Sequence, residues 1–225
     1  MAKIKFGMMM TDARGKLGGQ VFSKNRAGAY VRTKVTPANP RTITQMESRS
    51  ILGTLSAGWN GLTDAQRASF NNAVNSWQKT NIFGDMVKPT GKNLYTSLNK
   101  NLLQANLTPV NVAPQKMDLP ALAGFSPTID LTNSEIDLGI TTIPAGVVLQ
   151  VSATPTLNAG VNYVAGKSRV LLYIPAGAVD EGVIFDAYVD RFGAPTAGAN
   201  VHFQLKYIGT NGQAGVPVSA KASYL

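Results

Sequence analysis

Apolar and polar positions in this chain follow two periods, and the switch between them divides the sequence. Near the N-terminus, Val21-Phe22 and Tyr30-Val31 flank "SKNRAG", where Asn25 and Gly28 suit the backbone angles of a turn. Beyond it, Tyr30, Arg32 and Lys34 fall on one side and Val31, Thr33 and Val35 on the other, the period of two of a strand. "TPANPRT" ends the strand, because Pro37 and Pro40 have no N–H for a ladder. Residues 1–41 are therefore expected to form an extended β-hairpin arm.

From Thr42 the period becomes helical. Thr42 with Gln45, and Thr63 with Gln66, have capping-box spacing. Ile43, Met46, Leu52, Leu55 and Trp59 make a rough apolar stripe weakened by Gly53 and Gly58. Phe70, Ala73, Val74 and Trp77 fall at i, i+3, i+4 and i+7, a core-facing helix. "NIFGDMVKPTGKN" breaks the pattern, and Leu94, Tyr95, Leu98, Leu102 and Leu103 line a third, shorter helix. A small helical region over 42–106 follows.

Pro109, Pro114 and Pro120 mark 107–120 as a linker. Seven strand-like runs then alternate with turn signals: "SPTIDLT", "EIDLGI", "VVLQVSA", "SRVLLYI", "VIFDAYVD", "VHFQLKYI" and "VPVSAKASY". In "VHFQLKYI", Val201, Phe203, Leu205 and Tyr207 alternate with His202, Gln204 and Lys206, one buried face and one wet. Residues 121–225 are expected as an all-β sandwich of immunoglobulin or fibronectin type, without the disulfide. The fold class expected is thus α+β and multidomain.

Charge adds a second division. Residues 1–116 hold 16 Lys/Arg against 4 Asp/Glu, a net of +12, whereas residues 117–225 hold 5 against 8, a net of −3. The basic half should favour a polyanion or an acidic protein surface. The chain has no cysteine, which removes disulfides, thiolate metal sites and cysteine nucleophiles, and suits a reducing cytosol. Phe6 to Met10 is too short and too soon interrupted for a signal peptide, and no run approaches a bilayer span. A soluble protein with no membrane partner is expected.

Catalytic chemistry is sparse. The single histidine, His202, falls on the polar face of a predicted strand and reads as a solvent-facing residue rather than a general base. "GKSRV" around Ser168 lacks the second glycine of a nucleophile elbow. Gly15-Lys16 and Gly91-Lys92 lack the rest of a phosphate loop, and "GKLGG" is no dinucleotide fingerprint. Asp180-Glu181 with Asp186 and Asp190 has calcium-binding composition, but solvated acids are the simpler reading. Asn106 heads a glycosylation triplet, which carries no weight without a secretory signal. No enzyme, cofactor or metal is expected.

Arg14, Lys16, Lys24, Arg26, Arg32 and Lys34 put six cations within 21 residues, with Asp12 the one acid beside them. Cations defend edge strands against unwanted pairing, but arginine and glycine together, at Gly15, Gly18, Gly19 and Gly28, fit an arm that joins a neighbour's sheet edge. The cations would carry the docking, with Val21, Phe22, Tyr30 and Val31 as its apolar or strand-pairing part. Nucleic acid is the other polyanion. With Phe22 and Tyr30 the arm's aromatics, base stacking is weakly provided for, and backbone contact alone is expected. A remoter alternative is a carbohydrate-binding module in which Tyr163, Tyr173 and Tyr188 stack on sugar rings.

The strings "GKLGGQVFSKNRAGAYVRTKVTPANPRTITQ", "WNGLTDAQRASFNNAV" and "TGKNLYTSLN", over about residues 7–105, resemble a family of proteins common in bacteriophages and prophage-bearing bacteria. Its members carry a similar glycine/basic hairpin, an "NPxT" turn into a helix and a "W…LT…QR" helix pair. The resemblance implies a virion structural protein made in the bacterial cytoplasm: a capsid auxiliary or decoration protein, a head–tail connector, or a tail component. Multiple copies and other virion proteins would be its partners.

Overall fold

The computed structural model describes every residue except Met1, Pro37, Ala123, Ala159, Asn162, Ala165 and Leu225. The strand stop assigned to Pro37 therefore lies outside the described residues. The fold is mixed α+β, with four helices and mostly antiparallel sheets among the described residues. Two compact units emerge: Met1–Thr96 with Asn111–Ala113, and Ser97–Val110 with Pro114–Leu225.

The first unit begins with β1 (Ala2–Ile4), β2 (Gly15–Leu17), β3 (Gln20–Asn25) and β4 (Gly28–Thr33). These form a four-stranded antiparallel sheet in the order β1-β4-β3-β2, more than the single hairpin expected. Two strands are added to the hairpin: β1 pairs along β4, and glycines bring in β2. Gly18-Gly19 is a two-residue turn that folds β2 back on β3, with Gly18 at a positive φ of 54°. The "SKNRAG" turn forms as read: Asn25 faces Gly28, Gly28 has φ 109°, and the Asn25 Oδ1 accepts from the Ala27 N–H at 2.9 Å.

Helices α1 (Ile43–Gly61) and α2 (Asp64–Ala73) follow, then a short hairpin of β5 (Lys79–Thr80) and β6 (Met86–Val87), and α3 (Gly91–Gln104), whose residues up to Thr96 belong to this unit and the rest to the second. The "NIFGDMV" stretch is thus a hairpin rather than a plain break. Thr63 makes the full capping box: its Oγ1 accepts from Gln66 N–H at 3.3 Å, and its own N–H donates to Gln66 Oε1 at 2.9 Å. Thr42 stands at the N-cap of α1 but makes no side-chain cap bond, so that expected box is absent. Within this unit Leu55, Leu62, Phe70, Val74, Trp77, Leu94 and Tyr95 are buried. Trp59, Phe70 and Tyr95 form an aromatic cluster, with Phe70 and Tyr95 edge to face at 5.3 Å. Gly58, a weak point by helix propensity, is where Tyr95 packs. A methyl group there would lie 2.7 Å from the Tyr95 hydroxyl oxygen. The expected stripe on α1 divides: Leu55 is buried, whereas Ile43, Met46 and Leu52 are exposed.

The second unit contains β7 (Thr128–Asp130), β8 (Glu135–Asp137), β9 (Thr142–Ile143), β10 (Val147–Ala153), β11 (Arg169–Ile174), β12 (Gly177–Ala178), α4 (Glu181–Phe192), β13 (His202–Gly209), β14 (Val218–Lys221) and β15 (Ser223–Tyr224). Its main sheet runs β11-β10-β13-β14, all antiparallel, and a smaller one runs β15-β7-β8 with β15 parallel to β7. Across the β10–β13 ladder Val151 faces Leu205 and Ala153 faces Phe203, and with Leu149 these residues are fully buried in one core.

"VIFDAYVD" is not a strand, and the unit is not all-β. It is α4, because its ends are capped: Asp180 Oδ1 accepts from the Gly182 and Val183 N–H groups at 3.1 and 3.2 Å, and Gly193 closes the helix at φ 85°. Ile184, Tyr188 and Phe192 repeat every four residues, and the first two are fully buried. Residues 107–120 have no regular secondary structure but are pinned. The buried Asn99 bonds both the N–H and C=O of Val110, and Gln213 does the same for Met117.

Candidate docking surface

The N-terminal sheet is ordered, yet none of its described residues is buried, nor is any other described residue in 2–36. Its strand register sorts the expected docking residues. Residues directly opposite across a ladder share a face, as do residues two apart along a strand. Phe22 faces Val31, which faces Ala2, and the neighbouring rows on that side hold Ile4 with Ala29 and Leu17 with Gln20 and Thr33. This face is apolar, with Lys24 beside Ala29 at its end. On the opposite face Lys16, Val21 and Arg32 form one row, and Ser23, Tyr30 and Lys3 the next. The four apolar docking candidates are therefore not one group: Phe22 and Val31 lie on one face, Val21 and Tyr30 on the other.

All four are half-buried, whereas Arg14, Lys16, Lys24, Arg26, Arg32 and Lys34 are exposed. Arg14 precedes β2 and donates from Nε to Asp12 Oδ2 at 3.1 Å. Arg26 sits in the β3–β4 turn, and the Lys34 N–H, just past β4, donates to the Gly19 carbonyl at 2.8 Å. Sequence reasoning left out Lys3, Ile4 and Leu17. The alternation of Lys3, Ile4, Lys5 and Phe6 carried the signal for β1.

Near β1, Lys5 Nζ pairs with Asp85 at 3.1 Å and lies 5.5 Å from the Phe83 ring centre. The Asp85 carboxyl is held below its ordinary range, first by the Asn81 side-chain hydrogen bond and then by Lys5. The β1–β2 loop presents Met8 and Met9 fully to solvent, and the β5–β6 hairpin presents Ile82, Phe83 and Met86.

In the helical region, the "GLTDAQR" stretch holds α1 and α2 together. Leu62 is buried, Thr63 and Gln66 form the capping box, and the Arg67 guanidinium donates to the C-terminal carbonyls of α1, Trp59 at 3.3 Å and Asn60 at 2.6 Å. The "LT…QR" string is a helix–turn–helix clamp.

Other candidate sites come apart. Asp180 is occupied as the α4 cap, and no group of three metal-ligating side chains assembles among the described residues. Tyr188 is fully buried, its hydroxyl donating to the Thr154 carbonyl at 3.1 Å, so it cannot join Tyr163 and Tyr173 in a sugar platform. His202 is not simply solvent-facing: its Nε2 is buried without a hydrogen-bond partner, and burial, then Lys221, depresses its pKa. Among the described residues no helix is long and apolar enough to cross a membrane.

In comparisons with known proteins, no family model, no curated protein and no solved structure matches this chain.

Proposed function

We propose that this chain is a non-enzymatic structural protein of a bacteriophage virion, docked on neighbouring subunits through its N-terminal sheet. A head-associated place is favoured, as a capsid auxiliary or decoration protein or a head–tail connector, ahead of a tail component. One observation carries the reading: a four-stranded sheet in which no described residue is buried, although one face bears Ile4, Leu17, Phe22 and Val31. A small sheet needs a covered apolar face to gain its full stability, and a neighbouring subunit supplies that cover. The resemblance of residues 7–105 to phage proteins supplies the virion context. For the second unit, an immunoglobulin-type kinship rests on the antiparallel β11-β10-β13-β14 sheet, with α4 as its departure from that pattern.

The test is incorporation into particles. A chain lacking residues 1–41 should be left out of particles that take up the full chain. Equal incorporation of the two would remove the docking role.

A further inference from the structure

We propose that the cationic face of the N-terminal sheet binds the phosphate backbone of duplex DNA, while the apolar face stays on protein. The inference rests on the docking reading and assigns the second face its own partner.

Lys3, Lys16 and Arg32 project from three different strands on one side of the sheet, with Tyr30 beside Lys3. Strands lie about 4.8 Å apart, so the backbones carrying Lys16 and Arg32, on β2 and β4, are separated by about 10 Å. The cations thus spread over a surface rather than along one line. None of the three is in an ion pair among the described residues, whereas Arg14 and Lys5 have carboxylate partners. The four strands themselves carry no acid among their described residues. Asp85, from the β5–β6 hairpin, pairs with Lys5 and lies near enough to the half-buried Lys3 to feel its charge, so Lys16 and Arg32 are the more open cations of the face.

Composition separates the two faces by partner. The centres of protein–protein interfaces are depleted of charge, and of lysine in particular. Interfaces with nucleic acid are polar and strongly positive. The Ile4, Leu17, Phe22 and Val31 face has the first character, and the Lys3, Lys16 and Arg32 face the second. A face with one aromatic offers phosphate contacts and little else. Single-strand binders stack successive bases on several aromatics, so the duplex is the better fit, and binding should ignore sequence.

The experiment measures binding of the full chain to fluorescent duplexes of two unrelated sequences while salt rises. Three phosphate contacts predict a log–log slope of about −2.7, an affinity loss of about 40-fold between roughly 50 and 200 mM salt, equal for both sequences. The variant Lys3→Gln/Lys16→Gln/Arg32→Gln should lose most of that slope. A control with the same charge removed elsewhere, Lys167→Gln/Arg169→Gln/Lys221→Gln, should keep it. Phe22→Ser/Val31→Ser should retain duplex binding whatever its effect on particle docking, which separates failure of this assignment from failure of the docking reading. No duplex binding, equal losses in the two charge variants, or loss in the apolar-face variant would overturn the proposal. So would tighter binding to a single strand, or to a polyglutamate peptide that marks an acidic protein partner.

Discussion

The β3–β4 pair and the β10–β13 pair are both antiparallel ladders with unbroken register, six residue pairs in one and seven in the other. They differ in what lies over them. Phe203 and Val151, on β13 and β10, are fully buried, whereas Phe22 and Val31, on β3 and β4, are only half-buried. The same local chemistry builds both ladders, through alternation, β-branched and aromatic residues and tight turns. Burial alone distinguishes the two: one sheet is covered by its own chain, and the other has an apolar face that is only partly covered, the face proposed to meet a neighbour.

The largest effect expected is on the covered side of that contrast. Phe203→Ala should lower unfolding free energy by about 3–5 kcal/mol in urea denaturation, through lost burial and the cavity left behind. Phe22→Ala should cost about 1 kcal/mol or less, while sharply reducing docking. Equal losses would mean that the N-terminal sheet has a core of its own, and the comparison would fail.

Gly212 gives the next effect. It has φ 81°, and a methyl group there would stand 2.5 Å from the Leu98 carbonyl oxygen, while its own carbonyl accepts from Asn101 Nδ2 at 2.8 Å. Gly212→Ala should cost about 2–3 kcal/mol, from left-handed strain and the clash.

A smaller pair of effects probes the helices of the first unit. Arg67→Met removes the clamp on the α1 carbonyls and should cost about 1–2 kcal/mol, while Thr63→Ala should cost about 1 kcal/mol. Thr42→Ala should be close to neutral, because Thr42 makes no side-chain cap bond. Helix-specific circular dichroism during urea unfolding reads all three, and a large loss at Thr42 would contradict the cap geometry.

The smallest effect is electrostatic. The folded-state pKa of His202 lies below its unfolded value, so the unfolded chain binds the proton first as pH falls. Its contribution is complete above about pH 6.5 and is lost progressively below that, down through the depressed folded value. His202→Gln should flatten this part of the stability–pH profile. An unchanged profile would show that the imidazole takes up its proton in the fold without penalty.

Much of this was legible from neighbours in sequence. The "SKNRAG" turn, the Thr63–Gln66 box and the alternation of β13 depend on residues within a few positions of each other. The first two form as read, and β13 alternates with its apolar side buried but its polar side half-buried rather than wet. The α4 segment went astray because its eight apolar-rich residues suit either a strand or a helix. Asp180 and Gly193, its caps, were visible in the sequence but stood outside the run that was read. The N-terminal sheet was only half legible. Its central turn is local, but β1 joins β4 across more than twenty residues, and that pairing determines which cations share a face.

The order of residues fixes the turns, the Thr63 cap, the strand alternation and the concentration of cations near the N-terminus, because each arises from short-range backbone preference or from composition. Packing in three dimensions makes the remaining choices: β1 pairs with β4, which brings Lys3 onto the face of Arg32, and one ladder is buried while the other is not. Those outcomes turn on pairing and solvent exclusion between distant segments, which no local pattern encodes.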